Sequence, residues 1–143
     1  KWREFAKDPA TWNLEKGFGL KKEDMNRAEA TRTRIFEDIS EYFRDFDAIL
    51  LPAAQVAPFD LSQEWISEIA GIKLDTYIDW MSVCCMITVT GLPAISVPGG
   101  FTDEGLPVGI QLVGKPNGDL ELLKIANAYE AITKHHARMP ELF

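Results

Sequence analysis

The stretch Thr88 to Gly114, TVTGLPAISVPGGFTDEGLPVGIQLVG, constrains the fold more than any other part of the chain. It holds two short apolar runs set between turn residues. Thr90-Gly91 leads into Leu92 to Val97, and Pro98-Gly99-Gly100 ends that run. Asp103-Glu104-Gly105 makes a turn, Leu106 to Val113 follows, and Gly114 closes it. Pro93 and Pro107 sit at the starts of their runs, where a missing N–H does least harm to a ladder. Turn residues between β-branched runs are the hairpin signal. Ile95, Val97, Val108, Ile110, Leu112 and Val113 fall on both faces, which predicts strands inside a larger sheet covered on two sides.

The remaining chain supplies the cover. From Lys1 to Gly19 the aromatics Trp2, Phe5, Trp12 and Phe18 are irregularly spaced, and Pro9, Gly17 and Gly19 interrupt; a short helix or coil is expected. From Leu20 to Phe46, Met25, Ala28, Ile35, Ile39 and Phe43 recur at helical steps, with Arg32, Arg34 and Glu37 on the solvated face. Ala48 to Leu51 reads as a strand stopped by Pro52. Asp60 or Ser62 is placed to cap a helix through Trp65, Ile66 and Ile69 towards Gly71. Between Leu74 and Ile87, Tyr77, Ile78, Met81 and Cys85 fit a helical stripe, while Val83 to Val89 also suits a buried strand; a helix is the favoured reading. After a turn at Pro116-Asn117-Gly118, Asp119 opens a last helix with Leu122, Ile125, Ala126, Tyr129 and Ile132 on one stripe. Lys134, His135, His136 and Arg138 lie at its favourable C-terminal end, and Pro140 stops it. The expected architecture is one α/β domain. Residues 1–19 form an irregular N-terminal segment. Residues 20–143 form a body with a small mixed sheet (Ala48–Leu51, Ala94–Val97, Val108–Val113) flanked by helices.

Composition narrows the partners. A net charge of −7 over 143 residues, with Lys and Arg scattered, argues against a nucleic-acid or anionic-membrane surface. Trp80 to Phe101 is apolar, but Pro93, Pro98 and Gly99-Gly100 break it, so it reads as buried core and not a membrane span. The only cysteines, Cys84 and Cys85, are adjacent, which suits free thiols in a reducing, cytoplasmic setting. The chain starts at Lys1 without an initiator Met, and a piece of a longer protein is expected.

No catalytic motif is apparent. Ser40, Ser62, Ser67, Ser82 and Ser96 include no Gly-x-Ser-x-Gly elbow, and none has a lysine three residues later. Asp75 and Asp79 would share a helix face, but no His or Cys accompanies them as a metal set. Cys84-Cys85 reads as buried structural thiols, and His135-His136 as a helix terminus. There is no phosphate-binding glycine pattern, and neither cofactor nor metal is expected.

GLPAISVPGGF, the turn, GLPVGIQLVG and the helix opening at Asp119 closely resemble the C-terminal portion of the amidase signature family. FDAILLPAAQVAP, Phe46 to Pro58, is similar to that family's preceding segment. The resemblance covers about Met25 to Phe143. It implies that this chain is the C-terminal part of a larger amidase α/β sheet fold that cleaves carboxamide C–N bonds. The family's Ser–cis-Ser–Lys triad matches no residue here, so the catalytic residues are expected upstream and the chain alone is expected to be inactive. The resemblance further implies that this portion supplies substrate-pocket wall, at Tyr77, Asp79, Trp80 and Thr88. Amidotransferase members carry an amine-binding Asp where this chain has Met81, with Asp79 two residues away, which points to an amide other than glutamine. The expected partners are the rest of the amidase chain and a small-molecule amide, with self-association of the isolated piece through exposed apolar strands. The alternative is a non-catalytic interaction or structural module. A stand-alone enzyme built on Cys84 or Cys85 is a third option.

Overall fold

The computed structural model describes residues 5–139. The described residues form two compact units, one ending at Ile35 and the other beginning at Phe36.

In the first unit, helix α1 spans Asp8–Phe18. Pro9 lies in its first turn, where no intrahelical N–H bond is lost, and Asp8 complements the positive end. Lys16 lies over the Trp12 ring at 5.5 Å. The segment expected to be helix or coil is thus mostly helix; Trp2 falls outside the described residues. Helix α2 spans Lys22–Tyr42, within the predicted Leu20–Phe46; its residues up to Ile35 belong to the first unit and those from Phe36 to the second. Asp24 tightens its start by accepting from the Lys21 amide (3.1 Å) and from Arg27 (2.9 Å).

In the second unit, strand β1 spans Ala48–Pro52. The helix expected between Asp60 and Gly71 does not form. Asp60 Oδ1 instead accepts from both the amide (2.8 Å) and the hydroxyl (2.6 Å) of Ser62, closing a local turn. A small hairpin follows, β2 (Glu68–Ile69) and β3 (Ile72–Lys73). Its two turn residues, Ala70 and Gly71, both have positive φ (52° and 80°), which suits a tight hairpin and ends any helix.

A 3-10 turn, Asp79–Met81, leads into helix α3, Ser82–Thr90. The predicted helix therefore occupies the later part of its window and runs on past Ile87. Gly91 terminates it with φ 68°, a conformation that costs glycine little. Buried Thr90 satisfies both ends of its hydroxyl, donating to the Ile87 carbonyl (2.6 Å) and accepting from the Leu92 amide (3.2 Å).

Strand β4 spans Ala94–Phe101 and β5 spans Pro107–Gly114. Pro98-Gly99-Gly100 does not end β4 as expected. The strand passes through it with a register shift: Pro98 faces Gly109 and Gly100 faces Val108. A side chain on Gly99 would bring Cβ to 2.9 Å from Ile110 Cγ2, so glycine lets the irregular strand lie flat on its partner. Helix α4, Asp119–Thr133, ends where Lys134 adopts φ 53°, and His135–Ala137 form a separate 3-10 turn. Pro140, expected to stop the helix, lies outside the described residues.

The three longer strands order β1-β5-β4, and both pairings are antiparallel. The α/β class holds, but the sheet expected to be mixed is antiparallel in these three strands. The short turn before Pro107 forces β4 and β5 to oppose one another, and β1 docks on the free edge of β5, pairing Leu50 with Leu112. Both faces of β5 are covered. Phe43, Ile87, Leu92 and Val113 form one buried cluster, with Ile39, Ile49 and Leu51 beside it. Val97, Leu112, Leu122 and Ala126 form the other, under α4. Val113 is 0% exposed. Among the described residues no helix is long and apolar enough to cross a membrane.

Candidate functional site

A cavity of about 550 Å³ opens at one end of the sheet, within the second unit. Its walls are Leu50 and Pro52 of β1, the loop from Ala54 to Phe59, Trp80, and Pro107 to Ile110 of β5. The sequence explains the shape. Pro52 and Pro58 bracket a loop that cannot continue as a central strand. The loop is pinned at its start, where the Ala53 amide donates to the Gly109 carbonyl (3.0 Å) and the Ala53 carbonyl accepts from the Cys84 thiol (3.2 Å). Gly109 lets this loop approach, since a Cβ there would lie 3.1 Å from Ala53 Cβ. Gln111 ties the same region down, its amide donating to the Pro52 carbonyl at 3.0 Å.

Gln55 is the polar anchor. Its Oε1 accepts from Ser82 Oγ (2.7 Å) and from the Val83 amide (3.0 Å). A backbone N–H can only donate, so this contact assigns the amide: oxygen towards α3, nitrogen away. Gln55 thereby caps the N-terminus of α3 from a distant loop, and the 3-10 turn holding Trp80 sits directly before that cap. Phe59 meets Trp80 edge-on, with ring centroids 5.6 Å apart and planes at 81°.

Of the four residues expected to line a substrate pocket, Trp80 borders this cavity. Asp79 is half-buried and turned to its own loop: its Oδ2 accepts from the Thr76 amide (2.7 Å) and hydroxyl (2.9 Å). Thr88 is exposed, and its hydroxyl donates to the Cys84 carbonyl (3.0 Å) along α3. Tyr77 is half-buried just ahead of the 3-10 turn. Leu50, Gln55, Phe59 and Ile110 are not expected at a site from sequence. Gln55 carries one signal, a lone amide within an apolar loop.

Other reactive groups are engaged locally. Ser40 donates to the Phe36 carbonyl (2.6 Å), Ser62 to Asp60 and Ser82 to Gln55. Cys84 is exposed, not buried as expected, and Cys85 is partly buried; both are free thiols. Among the described residues no group of three or more His, Cys, Asp or Glu could hold a metal ion. The carboxyl of Asp60 is held below its ordinary pKa, first by the Ser62 hydroxyl and then by the Ser62 amide. Glu104 is lowered likewise, chiefly by the Thr102 hydroxyl.

A helix-flanked sheet with an apolar cavity at its end defines an α/β protein with a small-molecule-sized recess. The chain belongs to the amidase family, whose model matches residues 2–123, and its relatives are amidase signature enzymes. It is 40% identical over 119 residues to the A subunit of glutamyl-tRNA(Gln) amidotransferase from Symbiobacterium thermophilum, covering 81% of this chain and 22% of that protein. The corresponding Streptococcus mutans protein is 37% identical over 119 residues (83% of this chain, 23% of that one). Among solved structures, a bacterial aryl acylamidase of the amidase signature family superposes with a TM-score of 0.80 at 24% identity, over 92% of this chain and 27% of that one, a likeness of fold. The A subunit of the Thermotoga maritima glutamyl-tRNA(Gln) amidotransferase gives a TM-score of 0.62 at 33% identity, over 85% and 25%. The chain thus spans less than a quarter of the length of the curated relatives it matches.

Proposed function

We propose that this chain is the C-terminal portion of an amidase signature hydrolase. The parent protein cleaves a carboxamide: the C–N bond breaks, the acyl carbon takes the OH of water and the nitrogen takes its proton. The nucleophile and base lie outside these 143 residues, and this portion contributes sheet and pocket wall. The observation that carries the reading is the family match over residues 2–123, in a segment that aligns to a small fraction of each relative. The local hydrogen bonds of Ser40 and Ser82 support it, since they run to a backbone carbonyl and a side-chain amide oxygen, and Ser62 donates to Asp60 in an exposed turn away from the cavity. The pocket wall is assigned to Trp80 with its neighbours Tyr77 and Asp79, and Thr88 lies further along α3.

The test is release of ammonia or amine from a panel of carboxamides by the full-length protein, beside the 143-residue chain. The expected result is turnover by the first and none by the second. A purified, folded full-length protein that cleaves no amide would overturn the reading in favour of a non-catalytic module.

A second reading follows from the relatives named for glutamyl-tRNA(Gln) amidotransferase, in which glutamine would be the amide. Asp79 bears on it. One of its oxygens is taken by Thr76, and the neighbouring Met81 has no charge to offer an amine. Glutamine in the panel separates the two readings. We also infer that the isolated chain self-associates, because β1 and β4 are sheet edges and Leu50 on β1 is 57% exposed. A concentration-independent monomer by light scattering would refute this.

A further inference from the structure

We propose that Asn117 is this chain's site of spontaneous deamidation. Its side-chain amide is exchanged for a carboxylate when the turn from Lys115 to Gly118 opens and the Gly118 backbone nitrogen attacks. This holds whatever amide the parent protein cleaves.

Asparagine is lost in this way when the next residue's backbone nitrogen reaches the side-chain carbonyl carbon, and a following side chain obstructs that approach. Only Asn117 is followed by glycine. Asn13, Asn26 and Asn127 lie inside α1, α2 and α4. There the following N–H is held by the carbonyl four residues back, which keeps the nitrogen from the side chain. Asn117 is exposed and lies between β5 and α4.

The turn is the gate. The Gly118 amide donates to the Lys115 carbonyl at 2.9 Å, and Asn117 sits between them at φ 58°. Proline at the second position and a positive φ at the third are the marks of a type II turn, whose third position glycine or asparagine fills. Gly118 is demanded by the same closure, since a Cβ there would lie 2.9 Å from the Lys115 carbonyl oxygen. The residue that lets the turn close therefore also leaves Asn117 the least obstructed neighbour. While the turn is closed, the attacking nitrogen is committed to Lys115. An exposed backbone bond of this kind opens at low free energy.

In the open turn the Gly118 nitrogen loses its proton to solvent and bonds to Asn117 Cγ. The side-chain nitrogen takes a proton and leaves as ammonia, which closes a cyclic imide. Water then adds to one imide carbonyl carbon; that C–N bond breaks and the nitrogen regains a proton. Opening on one side gives aspartate. Opening on the other gives isoaspartate, whose backbone runs through the side-chain carbon. Water is consumed and ammonia released, with no change of oxidation state. The new carboxylate lies beside the positive end of α4, where Gly118 offers no side-chain cap. The isoaspartate form lengthens the link from β5 to α4. Leu122 stands closest to that change, because its amide donates to the Gly118 carbonyl (2.9 Å) and its side chain packs in the cluster under α4.

The experiment incubates the full-length protein in mildly alkaline buffer made with oxygen-18 water, folded and, in parallel, unfolded in guanidinium chloride. Acidic digestion in ordinary water then leaves preparation artefacts unlabelled, and mass spectrometry maps the label. The folded protein should gain labelled carboxylate at residue 117, as aspartate and isoaspartate, more slowly than the unfolded one. Asn13, Asn26 and Asn127 should stay unlabelled in the folded protein. Pro116→Ala frees the open turn and should raise the folded rate about two- to fivefold while leaving the unfolded rate unchanged. Absence of label at residue 117 in the folded protein overturns the proposal, whether or not the unfolded protein gains it. So does equal labelling at any helical asparagine, or a folded rate that Pro116→Ala does not move.

Discussion

The side-chain oxygen of Gln55 receives the hydroxyl of Ser82 at 2.7 Å across 27 residues of sequence. The same oxygen receives the Val83 amide at 3.0 Å, so one loop glutamine closes the open end of α3. The cap and the cavity wall are one construction. The bond that orders α3 also turns the amide nitrogen of Gln55 away from the helix.

Replacing Gln55 with alanine should therefore loosen α3 at its start. Loss of a capping acceptor costs about 1 kcal/mol, within a range of about 0.5–2. Hydrogen exchange at the Val83 amide should quicken by about fivefold or more, given that about 1.4 kcal/mol is a factor of ten. Unchanged exchange at Val83 would show that water replaces the cap without loss.

Gly91 ends α3 at φ 68°. Alanine there should destabilise the fold by about 1 kcal/mol, because a Cβ is disfavoured in the left-handed region. Asparagine should cost less than alanine, since it visits that region more readily. Thermal unfolding of the two variants side by side checks the order; equal melting temperatures would contradict it.

Val113 is wholly buried, its cluster formed with Phe43, Ile87 and Leu92. Val113→Ala removes two buried carbons' worth of transfer energy and leaves a cavity, together about 2–3 kcal/mol. Urea denaturation should show the loss as a lower midpoint. A cost under about 0.5 kcal/mol would mean that the cluster collapses onto the gap.

The Asp60 carboxyl should titrate below an ordinary aspartate, because Ser62 donates two hydrogen bonds to its charged form. A depressed folded-state pKa stabilises the fold above the unfolded value. That contribution is lost as pH falls through the folded one. Ser62→Ala removes the larger of the two causes and should move the Asp60 pKa upward, towards the unfolded value. A carboxyl-detected NMR titration reads this directly; an unmoved pKa would leave the hydroxyl without a role.

Much of the fold is legible in the sequence because its signals are local. Proline and glycine punctuation locates β5 at Pro107–Gly114 and opens α4 at Asp119, since turn chemistry and strand alternation depend on near neighbours. Two local readings fail for physical reasons. Asp60 has the chemistry of a helix cap, but its carboxylate bonds Ser62 two residues on, and Ala70-Gly71 bends the chain back into a hairpin. Pro98-Gly99-Gly100 has the chemistry of a strand stop, but an irregular pairing absorbs it, because glycine tolerates both the contact with Ile110 and φ 134° at Gly100.

The candidate site is less legible. The family resemblance points to the segment around Trp80, and Trp80 does border the cavity. It cannot point to Leu50 or Ile110, which line the same cavity because β1 pairs with the edge of β5 left free by β4.

The sequence by itself determined where most helices and strands lie and which residues are apolar enough to bury, because those preferences act over a few residues. The tertiary structure alone decided the strand order, the turning of Asp79 to Thr76 and the role of Gln55 as a cap. Those depend on hydrogen bonds and apolar contacts formed after the chain has folded back on itself, and sequence spacing does not encode which distant partner wins.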